Sequence, residues 1–357
     1  MRTILKLKQE IMEIILRNAK LSLVALLLCF GFIACDDNDD FNPGGQTEVP
    51  DPDPEPTDDD GAVESNNILD FAAANGYTVF VEAAEAAELT GALTGDDELT
   101  IFMPTNDAFQ ALLDSNEDWS ALGDIPADVL EQVLMNHVQS GTIMSGDLET
   151  GYYTSMAQTD IGGEMMDLSL YINVGDDVML NGVSTVTDPD NEVDNGVVHV
   201  VDQVIGLPDL TTFATADPNF SLLAEALTEA DLVGALQAEG PFTVFAPTDD
   251  AFQALLDSND DWTSAADIDD DVLTAVLTYH VIAENNYLSG DLSDGLAVTT
   301  LQGQDLTINE ADGDFSITDA AGGMSDILED FVDIQATNGV IHAIDTVLMP
   351  DLSGDSE

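Results

Sequence analysis

Basic side chains are almost absent from this sequence. It holds five Lys and Arg residues, all between Arg2 and Lys20, against 71 Asp and Glu, and its formal net charge is −66. Beyond Lys20 no Lys or Arg salt bridge can form, and no basic patch exists for nucleic acid or sulfated polysaccharide. A phosphate-binding loop and a Schiff-base lysine are excluded in the same way. We therefore expect no nucleic-acid partner, and any acidic partner has to be reached through a bridging cation.

Cysteine is nearly as scarce, with Cys29 and Cys35 as the two copies. Cys29 lies inside an apolar run at 21–34 and is expected to be removed with it, so the exported chain has no internal disulfide and no thiolate metal site. The run is shorter than the roughly 20 apolar residues of a membrane-spanning helix, and it follows a basic stretch. Residues 1–34 are therefore predicted to be a secretion signal, translated from Met1 or Met12.

The end of this signal, from Phe32 to Cys35, resembles a bacterial lipobox. The small residue Ala34 precedes Cys35, which suits cleavage by a signal peptidase and lipidation of the thiol. Phe32 departs from the leucine that is usual at its position, and an ordinary cleavage site with an incidental cysteine is the alternative. Several acyl chains on Cys35 give a stable membrane anchor where a single chain is marginal.

Residues 35–64 are predicted to be an extended tether. Four prolines, Pro50, Pro52, Pro54 and Pro56, alternate there with Asp, Glu and Thr, and this composition favours extended, solvated backbone. An acidic run directly after a lipid-bearing cysteine resembles the surface-export signal of Bacteroidota lipoproteins. That resemblance implies a protein on the outer membrane whose domains face the cell exterior. The segment is a solvated spacer in either case.

The stretch TIFMPTNDAF at 100–109 returns as TVFAPTDDAF at 243–252. Each copy predicts a buried strand, a proline that ends it, a threonine helix cap and an amphipathic helix. The same offset relates further pairs along the chain: Trp119 and Trp262, His137 and His280, His199 and His342, NGVVHVVD and NGVIHAID. We therefore predict two homologous domains, residues 65–208 and 209–357. Almost no linker separates them, so they are expected to move little against each other.

These motifs resemble the fasciclin domain family. The resemblance rests on T-V-F-A-P-T-x-x-A-F near the start of the second copy and N-G-V-I-H-x-I-D near its end, with Tyr279-His280 between them. It implies an α+β fold of two tandem fasciclin-like domains, each a wedge-shaped β-sandwich flanked by short helices, and a role in extracellular adhesion. The family's Tyr-His adhesion motif carries over to Tyr279 and His280, whereas Asn136 precedes His137 in the first domain. The resemblance names no ligand.

Apolar periodicity predicts the elements of each copy. In the first domain it predicts helices that stop at Gly76 and Gly91, a strand at 99–103, a helical stripe at 129–138 that carries His137, and strands at 168–174, 178–180, 183–187 and 197–205. In the second domain it predicts helices at 220–236, 251–256 and 271–281, and strands at 242–246, 306–309, 315–318 and 340–348.

The histidines are the main candidates for chemistry, because they are the only nitrogen bases of the exported chain. They form two equivalent pairs, which leaves a metal or proton-transfer role open, but each lies among apolar residues, where a histidine bonded to backbone is the more frequent finding. No G-x-S-x-G, H-E-x-x-H or G-x-G-x-x-G motif occurs. The acidic clusters do not fit an EF-hand loop. We expect no enzyme, no cofactor, no specific metal site, and only loosely bound divalent cations.

Trp119 and Trp262 lie in the acidic loops EDWS and DDWT. A tryptophan there can stack on a sugar ring or can anchor its loop. The leading interpretation is a lipid-anchored surface adhesion protein that contacts matrix or cell-surface polysaccharide or protein through its domain surfaces, with divalent cations as bridges. The alternative is a glycan-capture module of a polysaccharide-uptake system. The charge also predicts adaptation to saline surroundings, since salt shortens the range of carboxylate repulsion.

Overall fold

The computed structural model of the chain describes residues 66–354. The predicted signal peptide at 1–34, the lipidation site Cys35 and the tether at 35–64 lie outside the described residues. The described part contains the same order of five α-helices around a central strand twice, once on each side of Pro208, with six further strands after the helices in the first copy and seven in the second. Both copies have the predicted α+β class. We call them the first and the second domain.

The first domain contains short helices, of which α1 and α4 begin at a side-chain cap. They are α1 (Ile68–Ala74), α2 (Thr78–Ala86), α3 (Thr90–Leu93), α4 (Asn106–Asp114) and α5 (Ala127–Met135). The side chain of Asn67 accepts hydrogen bonds from the amides of Leu69 and Asp70 at the start of α1. Thr105 accepts from the amide of Ala108 at the start of α4. These caps bind amides that a helix start leaves without an intrahelical partner.

The strands of the first domain form one seven-stranded sheet. They are β1 (Leu99–Pro104), β2 (Val138–Ser140), β3 (Gly151–Ile161), β4 (Glu164–Val174), β5 (Val178–Leu180), β6 (Ser184–Val193) and β7 (Gly196–Val201). Their order is β2-β1-β7-β6-β5-β4-β3, with β1 and β7 parallel and the other neighbours antiparallel. β2 and β3 are therefore the two edges of the sheet.

The second domain repeats the helices but divides the strands between two four-stranded sheets. Its helices are α6 (Leu210–Ala216), α7 (Ser221–Glu229), α8 (Val233–Leu236), α9 (Asp249–Asp257) and α10 (Asp270–Tyr279). One sheet has the order β14-β15-β8-β9, formed by β8 (Phe242–Pro247), β9 (Val281–Ala283), β14 (Ile334–Ala336) and β15 (Gly339–Ile344). The other runs β10 (Ala297–Thr299), β11 (Asp305–Ala311), β12 (Asp314–Thr318) and β13 (Met324–Asp326).

The central strand of each domain is covered on both faces, which explains why its sequence is almost continuously apolar. In β1, Leu99, Ile101 and Met103 pack into a core formed with the helices, whereas Phe102 packs into a second core formed with the outer strands. β8 divides its side chains in the same way, with Phe245 on the outer side. Each domain is thus a layered α+β unit built around one buried strand.

The helices that lead to His137 and His280 end earlier than the periodicity predicts. The predicted helix 271–281 is wrong at its end, because α10 stops at Tyr279 and Val281 begins β9. In the first domain α5 likewise ends before His137, and β2 follows. The ring Nδ1 of His280 donates to the carbonyl that the amide of this residue would reach in a continued helix. The apolar stripe continues past the helix end because the next strand is buried too.

The predicted helix 220–236 is interrupted. Asp231 adopts a left-handed conformation, with φ 55°, and separates α7 from α8. Glu88, with φ 59°, separates α2 from α3 at the same place in the first domain, and Gly91, the predicted stop, lies inside α3. Gly76, with φ 82°, does end α1 as predicted. A left-handed residue ends a helix whatever its side chain.

β3 occupies residues 151–161, where the apolar pattern of the sequence predicts no strand. β3 and β4 form a long hairpin that is paired from Gly151 and Ile172 to Ile161 and Glu164. β4 therefore begins before the predicted residue 168, and β6 continues past 187 to Val193. The predictions at 99–103, 178–180 and 242–246 agree with β1, β5 and β8 to within one residue.

Candidate functional site

His137 and His280 each connect the end of a helix to the segment that closes the domain. Nδ1 of His280 donates to the carbonyl of Val276 at 2.7 Å, and Nε2 accepts the amide of Leu348 at 2.9 Å. His137 bonds in the same way, at 2.7 Å to the carbonyl four residues before it and at 2.8 Å to the amide of Ile205. One nitrogen donates and the other accepts, so each ring is a neutral imidazole with its proton on Nδ1.

Burial keeps these two rings neutral. His137 is 0% exposed and His280 is 2% exposed. Loss of water around the ring lowers the pKa of each from 6.5 to about 4, although the bond to a backbone carbonyl acts in the opposite direction. With both nitrogens engaged and no solvent contact, neither ring presents a free base or a free metal ligand.

The residue before each of these histidines differs between the domains. The Tyr279 hydroxyl donates to the carbonyl of Asp305 at 2.9 Å and accepts the amide of Ala320 at 2.8 Å. Asn136 donates from Nδ2 to the carbonyl of Gly206 at 3.0 Å, and its Oδ1 has no partner in the described part of the chain. Both side chains hold loops from inside the domain. The structure thus places the residues of the predicted adhesion motif in the interior: Asn136, His137, Tyr279 and His280.

The second pair of histidines, His199 in β7 and His342 in β15, is bonded with the opposite tautomer. Nε2 of His342 donates to the carbonyl of Tyr287 at 2.8 Å, and Nδ1 accepts the amide of Asp333 at 3.4 Å. In His199, Nε2 donates to the carbonyl of Ile143 at 2.9 Å, and Nδ1 accepts the amide of Asp190 at 3.1 Å. Burial lowers the pKa of His342. Every ring nitrogen of the four histidines therefore has a backbone partner.

A serine, a carboxylate and a histidine meet beside β7, but not in a catalytic order. The Ser145 hydroxyl donates to Asp190 at 2.5 Å, and the other carboxylate oxygen of Asp190 lies 3.8 Å from Nδ1 of His199. Nucleophilic catalysis requires the hydroxyl to donate to the imidazole instead. The hydrogen bonds from Ser145 lower the pKa of Asp190, which stabilises it as an anion. The cluster closes a turn and provides no activated nucleophile.

The tryptophan loops lie against their own domains. Trp119 and Trp262 are half-buried and pack on the helical cores. The amide of Trp262 donates to the carbonyl of Asn259 at 3.0 Å. The carboxylate of Asp267 accepts three hydrogen bonds from the two residues that follow Trp262. Each indole therefore anchors its loop, and only part of its face is open to a sugar ring.

The two domains share buried aromatic rings at their junction. Tyr171 of β4 is 1% exposed and packs into the helical core of the second domain. The ring of Tyr152 in β3 lies 5.0 Å from that of Tyr171 and 5.5 Å from that of Phe213 in α6. Its hydroxyl donates to the buried carboxylate of Asp217 at 2.9 Å. Burial, together with this anion, raises the pKa of Tyr152. The junction is thus a shared core, in agreement with the short connection.

Hydrogen bonds extend this junction along an edge of the second domain. The amide of Gln335 in β14 donates to the hydroxyl of Ser169 in β4 at 2.9 Å. The amide of Thr337 donates to the carbonyl of Pro208 at 2.8 Å, so the connection itself is bonded to the second domain. Sequence reasoning missed this site because it assigned no strand to 151–161. Exposed and buried side chains alternate in β3 from Thr154 to Gln158, but the buried ones are the small Ser155 and Ala157, so the sequence has little apolar periodicity there.

The surface of both domains is dominated by carboxylates. Among the carboxylates of residues 66–354, Asp217 and Asp319 are the buried ones. In the same range no group of three or more His, Cys, Asp or Glu is arranged to hold a metal ion. No helix of the described residues has the length and apolar character needed to cross a bilayer. The described domains therefore present a broad negative field with no specific cation cage.

Comparison with known proteins connects this architecture to a family. The Fasciclin domain model matches residues 75–208 and 218–350. Human periostin is 30% identical over 284 residues, which is 77% of this chain and 31% of periostin. The cell surface glycolipoprotein MPB83 of Mycobacterium bovis is 36% identical over 149 residues, which is 40% of this chain and 60% of MPB83. The chain thus spans less than two thirds of either relative.

A solved structure is also similar to this chain. It is a FAS1 domain pair from the insect cell adhesion molecule fasciclin I, with 20% identity, a TM-score of 0.44, and coverage of 79% of this chain and 98% of that one. The family match takes in both copies of the repeat and most of the chain. The protein belongs to the Fasciclin domain family, of which it carries two domains in tandem.

Proposed function

We propose that this protein is a cell-surface adhesion protein without catalytic activity, anchored by a lipid on Cys35. The proposed chain consists of a signal at 1–34, a tether at 35–64 and domains at 65–208 and 209–357. The observation that carries the proposal is the tandem pair of Fasciclin domains, which makes up most of the exported chain. The family resemblance implies extracellular adhesion, and the four histidines have no free nitrogen for chemistry.

In this proposal the adhesive contacts lie on the domain surfaces and the Tyr-His motif acts from within. Tyr279 and His280 are buried and fully bonded, so direct contact with a partner would require the domain to open. Opening would exchange the backbone partners of the hydroxyl and the ring for water, at a cost of about 0.5–1.5 kcal/mol for each hydrogen bond, and would also expose the apolar residues packed around them. We therefore assign the motif, including Asn136 and His137, to shaping the surface that binds.

The surface itself suits binding through bridging cations. It is acidic throughout and contains no Lys or Arg beyond Lys20. Acidic polysaccharide or protein would be repelled by such a surface unless divalent cations neutralise both partners. Loosely bound ions are sufficient, because many weak carboxylate contacts add up over a broad face. In saline surroundings the range of this repulsion would be shorter, about 3 Å at 1 M salt.

Location on the outer membrane, facing the exterior, follows in this proposal from the N-terminal signals. The lipobox-like residues that end at Cys35 supply the anchor, and the acidic run after it is the feature that resembles a Bacteroidota export signal. MPB83, to which 40% of this chain is similar, is named a cell surface glycolipoprotein. A tether of up to about 3 Å per residue would carry the domains well beyond the lipid headgroups.

The test is binding of the exported chain, residues 36–357, to its own cells and to purified polysaccharides at high salt. The expected result is binding to cells or to acidic polymers that needs calcium and is reversed by a chelator. Mass spectrometry of the membrane-extracted protein checks the acyl group on Cys35, with Cys35→Ser as the control. Absence of binding to every cell and polymer surface, with or without calcium, would contradict the proposal.

The second candidate is glycan capture for a polysaccharide-uptake system, favoured by one observation. Trp119 and Trp262 keep part of their indole surface exposed at equivalent places in both domains. In this case binding to one neutral sugar would resist the chelator and would be lost in Trp119→Ala with Trp262→Ala. The matched control is Trp→Phe at both positions, which retains an apolar ring against each core. Retention of sugar binding in the alanine variant would eliminate this candidate.

A further inference from the structure

The first domain has an open groove that neither the junction nor the motif uses. It lies between the loop before β1, the end of α5 and the edge strands β2 and β3, and its volume is about 590 Å³. Its apolar side is formed by Met135, Val138 and Met156, and Met156 is 37% exposed. Its rim carries Asp96, Asp97 and Glu98, all of them exposed. The volume is within the range of ligand-binding pockets, roughly 300–1,000 Å³.

The groove stays open because the sheet does not close. β2 and β3 are the two edges of the seven-stranded sheet and approach each other without pairing. The register of β3 shifts between Thr154 and Gln158, next to Met156. The amide of Gln158 then donates to the side chain of Gln132 in α5 at 2.6 Å rather than to a strand. This bulge interrupts the pairing of β3 with β4 beside Met156, which lies at the opening of the groove.

The chemistry of the groove defines what would bind there. Methionine side chains are flexible and polarizable, so a surface formed by Met135 and Met156 adapts to apolar groups of different shapes. The three carboxylates on the rim attract cations and repel anions. A matching ligand has apolar side chains for the groove and positive charges for the rim. A basic amphipathic peptide segment combines these two properties.

Apart from the predicted signal at 1–34, which holds all five Lys and Arg residues, the protein offers no segment with that chemistry. The tether at 35–64 is acidic, and no Lys or Arg occurs after Lys20. A second copy of the exported chain would bring the same negative charge to the rim. Both occupants are therefore repelled by Asp96, Asp97 and Glu98, and charge complementarity leaves a partner other than this protein.

The equivalent place in the second domain keeps only some of these groups, with Glu239 at the position of Asp96 and Val281 at the position of Val138. Gly240 and Pro241 precede β8 where Asp97 and Glu98 precede β1, and Thr278 stands where the first domain has Met135. The rim charge and the apolar side are thus both reduced in the second copy. The groove is a property of the first domain and not of the repeat.

We propose that the groove of the first domain binds a Lys- or Arg-bearing amphipathic segment of a partner protein, with its apolar side chains against Met135 and Met156 and its cations at Asp96, Asp97 and Glu98. This site goes beyond the proposed adhesion to acidic polymers, because it takes a partner of opposite charge and requires no bridging cation.

The probe is a short synthetic peptide of alternating leucine and lysine, measured by calorimetry with the exported chain at about 0.15 M salt. Its control is the same peptide with serine in place of leucine, which reports non-specific attraction to the acidic surface. The groove variant is Met135→Thr with Met156→Thr. The matched control is Met165→Thr with Met324→Thr, two exposed methionines outside the groove. A chelator is present throughout.

The expected result is that the leucine peptide binds at least about tenfold more tightly than the serine peptide, and that the groove variant alone removes this difference. Removal of the rim charges weakens binding of the leucine peptide, through the combined changes Asp96→Asn, Asp97→Asn and Glu98→Gln. The loss of affinity is larger than for an equal change of charge outside the groove, Glu164→Gln, Asp176→Asn and Asp177→Asn. These exposed changes keep the test valid if the methionine variant does not fold. Equal binding of both peptides, or equal loss in groove and control variants, overturns the proposal.

Discussion

Mild acidification is expected to destabilise both domains through their buried histidines. His137 and His280 have a pKa of about 4 in the folded protein, against 6.5 for an exposed ring. The unfolded chain therefore binds protons between these values and the folded chain does not. The histidine contribution to stability is complete above about pH 6.5 and is lost as the pH falls towards 4.

The size of this loss follows from the two pKa values. Linkage over the interval from pH 7 to pH 5 gives about 2 kcal/mol for each of these two histidines, of which each domain holds one. In the second domain the lowered pKa of His342 adds to this loss. For a domain of this size such a change lowers the melting temperature by about 4–8 °C. High salt, which shortens the range of carboxylate repulsion, separates the histidine effect from that of the acidic surface.

The assay is urea unfolding followed by tryptophan fluorescence, because Trp119 and Trp262 place one reporter in each domain. The change Trp262→Phe leaves Trp119 as the reporter, so that the fluorescence follows the first domain. About 1 M salt in every buffer screens the repulsion between carboxylates. His137→Gln retains a donor and an acceptor but does not titrate, so this variant should be less stable at pH 7 and change less between pH 7 and pH 5. A wild-type protein that is equally stable at both pH values, or a variant with an unchanged pH dependence, would show that these histidines do not control the acid stability.

Three further outcomes can be measured on the same protein. Tyr279→Phe removes the hydroxyl between Asp305 and Ala320, and urea unfolding should show the second domain weaker by about 1–3 kcal/mol, with no change in the first. Tyr171→Ala leaves a cavity in the shared core and should cost about 3–5 kcal/mol, with two separate transitions in calorimetry where the wild type shows coupled ones. The melting temperature should rise with added salt, and a flat or falling series would contradict saline adaptation.

The strand-to-helix corner of each domain was predictable because its signals are local. Pro104 ends β1, Thr105 caps α4, and the apolar spacing of the helix follows directly. β1 is buried on both faces, so its continuous apolar run identified it as central. Because Phe109 and Phe252 are related by the same offset as the other repeated residues, the same strand and helix were predicted in the second copy.

The helix interruptions were not predictable from residue type. At Glu88 and Asp231 the backbone is left-handed, although a glycine is the usual signal for that conformation. Gly91, in contrast, sits inside a helix, where the same analysis expected a stop. The left-handed residue turns the chain so that α3 packs against α1 and α8 packs against α6, and a pattern along the chain does not contain these contacts.

The environment of the histidines was partly predictable. The apolar stripe around His137 indicated burial correctly, but it extended the helix too far, because a stripe does not distinguish a buried helix from a buried strand that follows it. The amides of Ile205 and Leu348, which bond to His137 and His280, lie 68 residues after these histidines in the sequence. A pattern of residue spacing within one helix or strand cannot predict such a contact. The junction around Tyr152 was missed for the same reason, since its neighbours belong to the other domain.

The asymmetry of the pair accounts for where a partner has room to bind. The loop before the central strand occurs twice, at 96–98 and at 239–241. In the second domain it faces the β3–β4 hairpin, and residues 160–162 of that hairpin line a cavity of about 440 Å³ together with it. In the first domain no preceding domain occupies the corresponding surface among the described residues, and the loop borders the open groove instead. In this tandem repeat the loop at 239–241 is part of the junction between the domains, whereas the equivalent loop at 96–98 remains available to a partner.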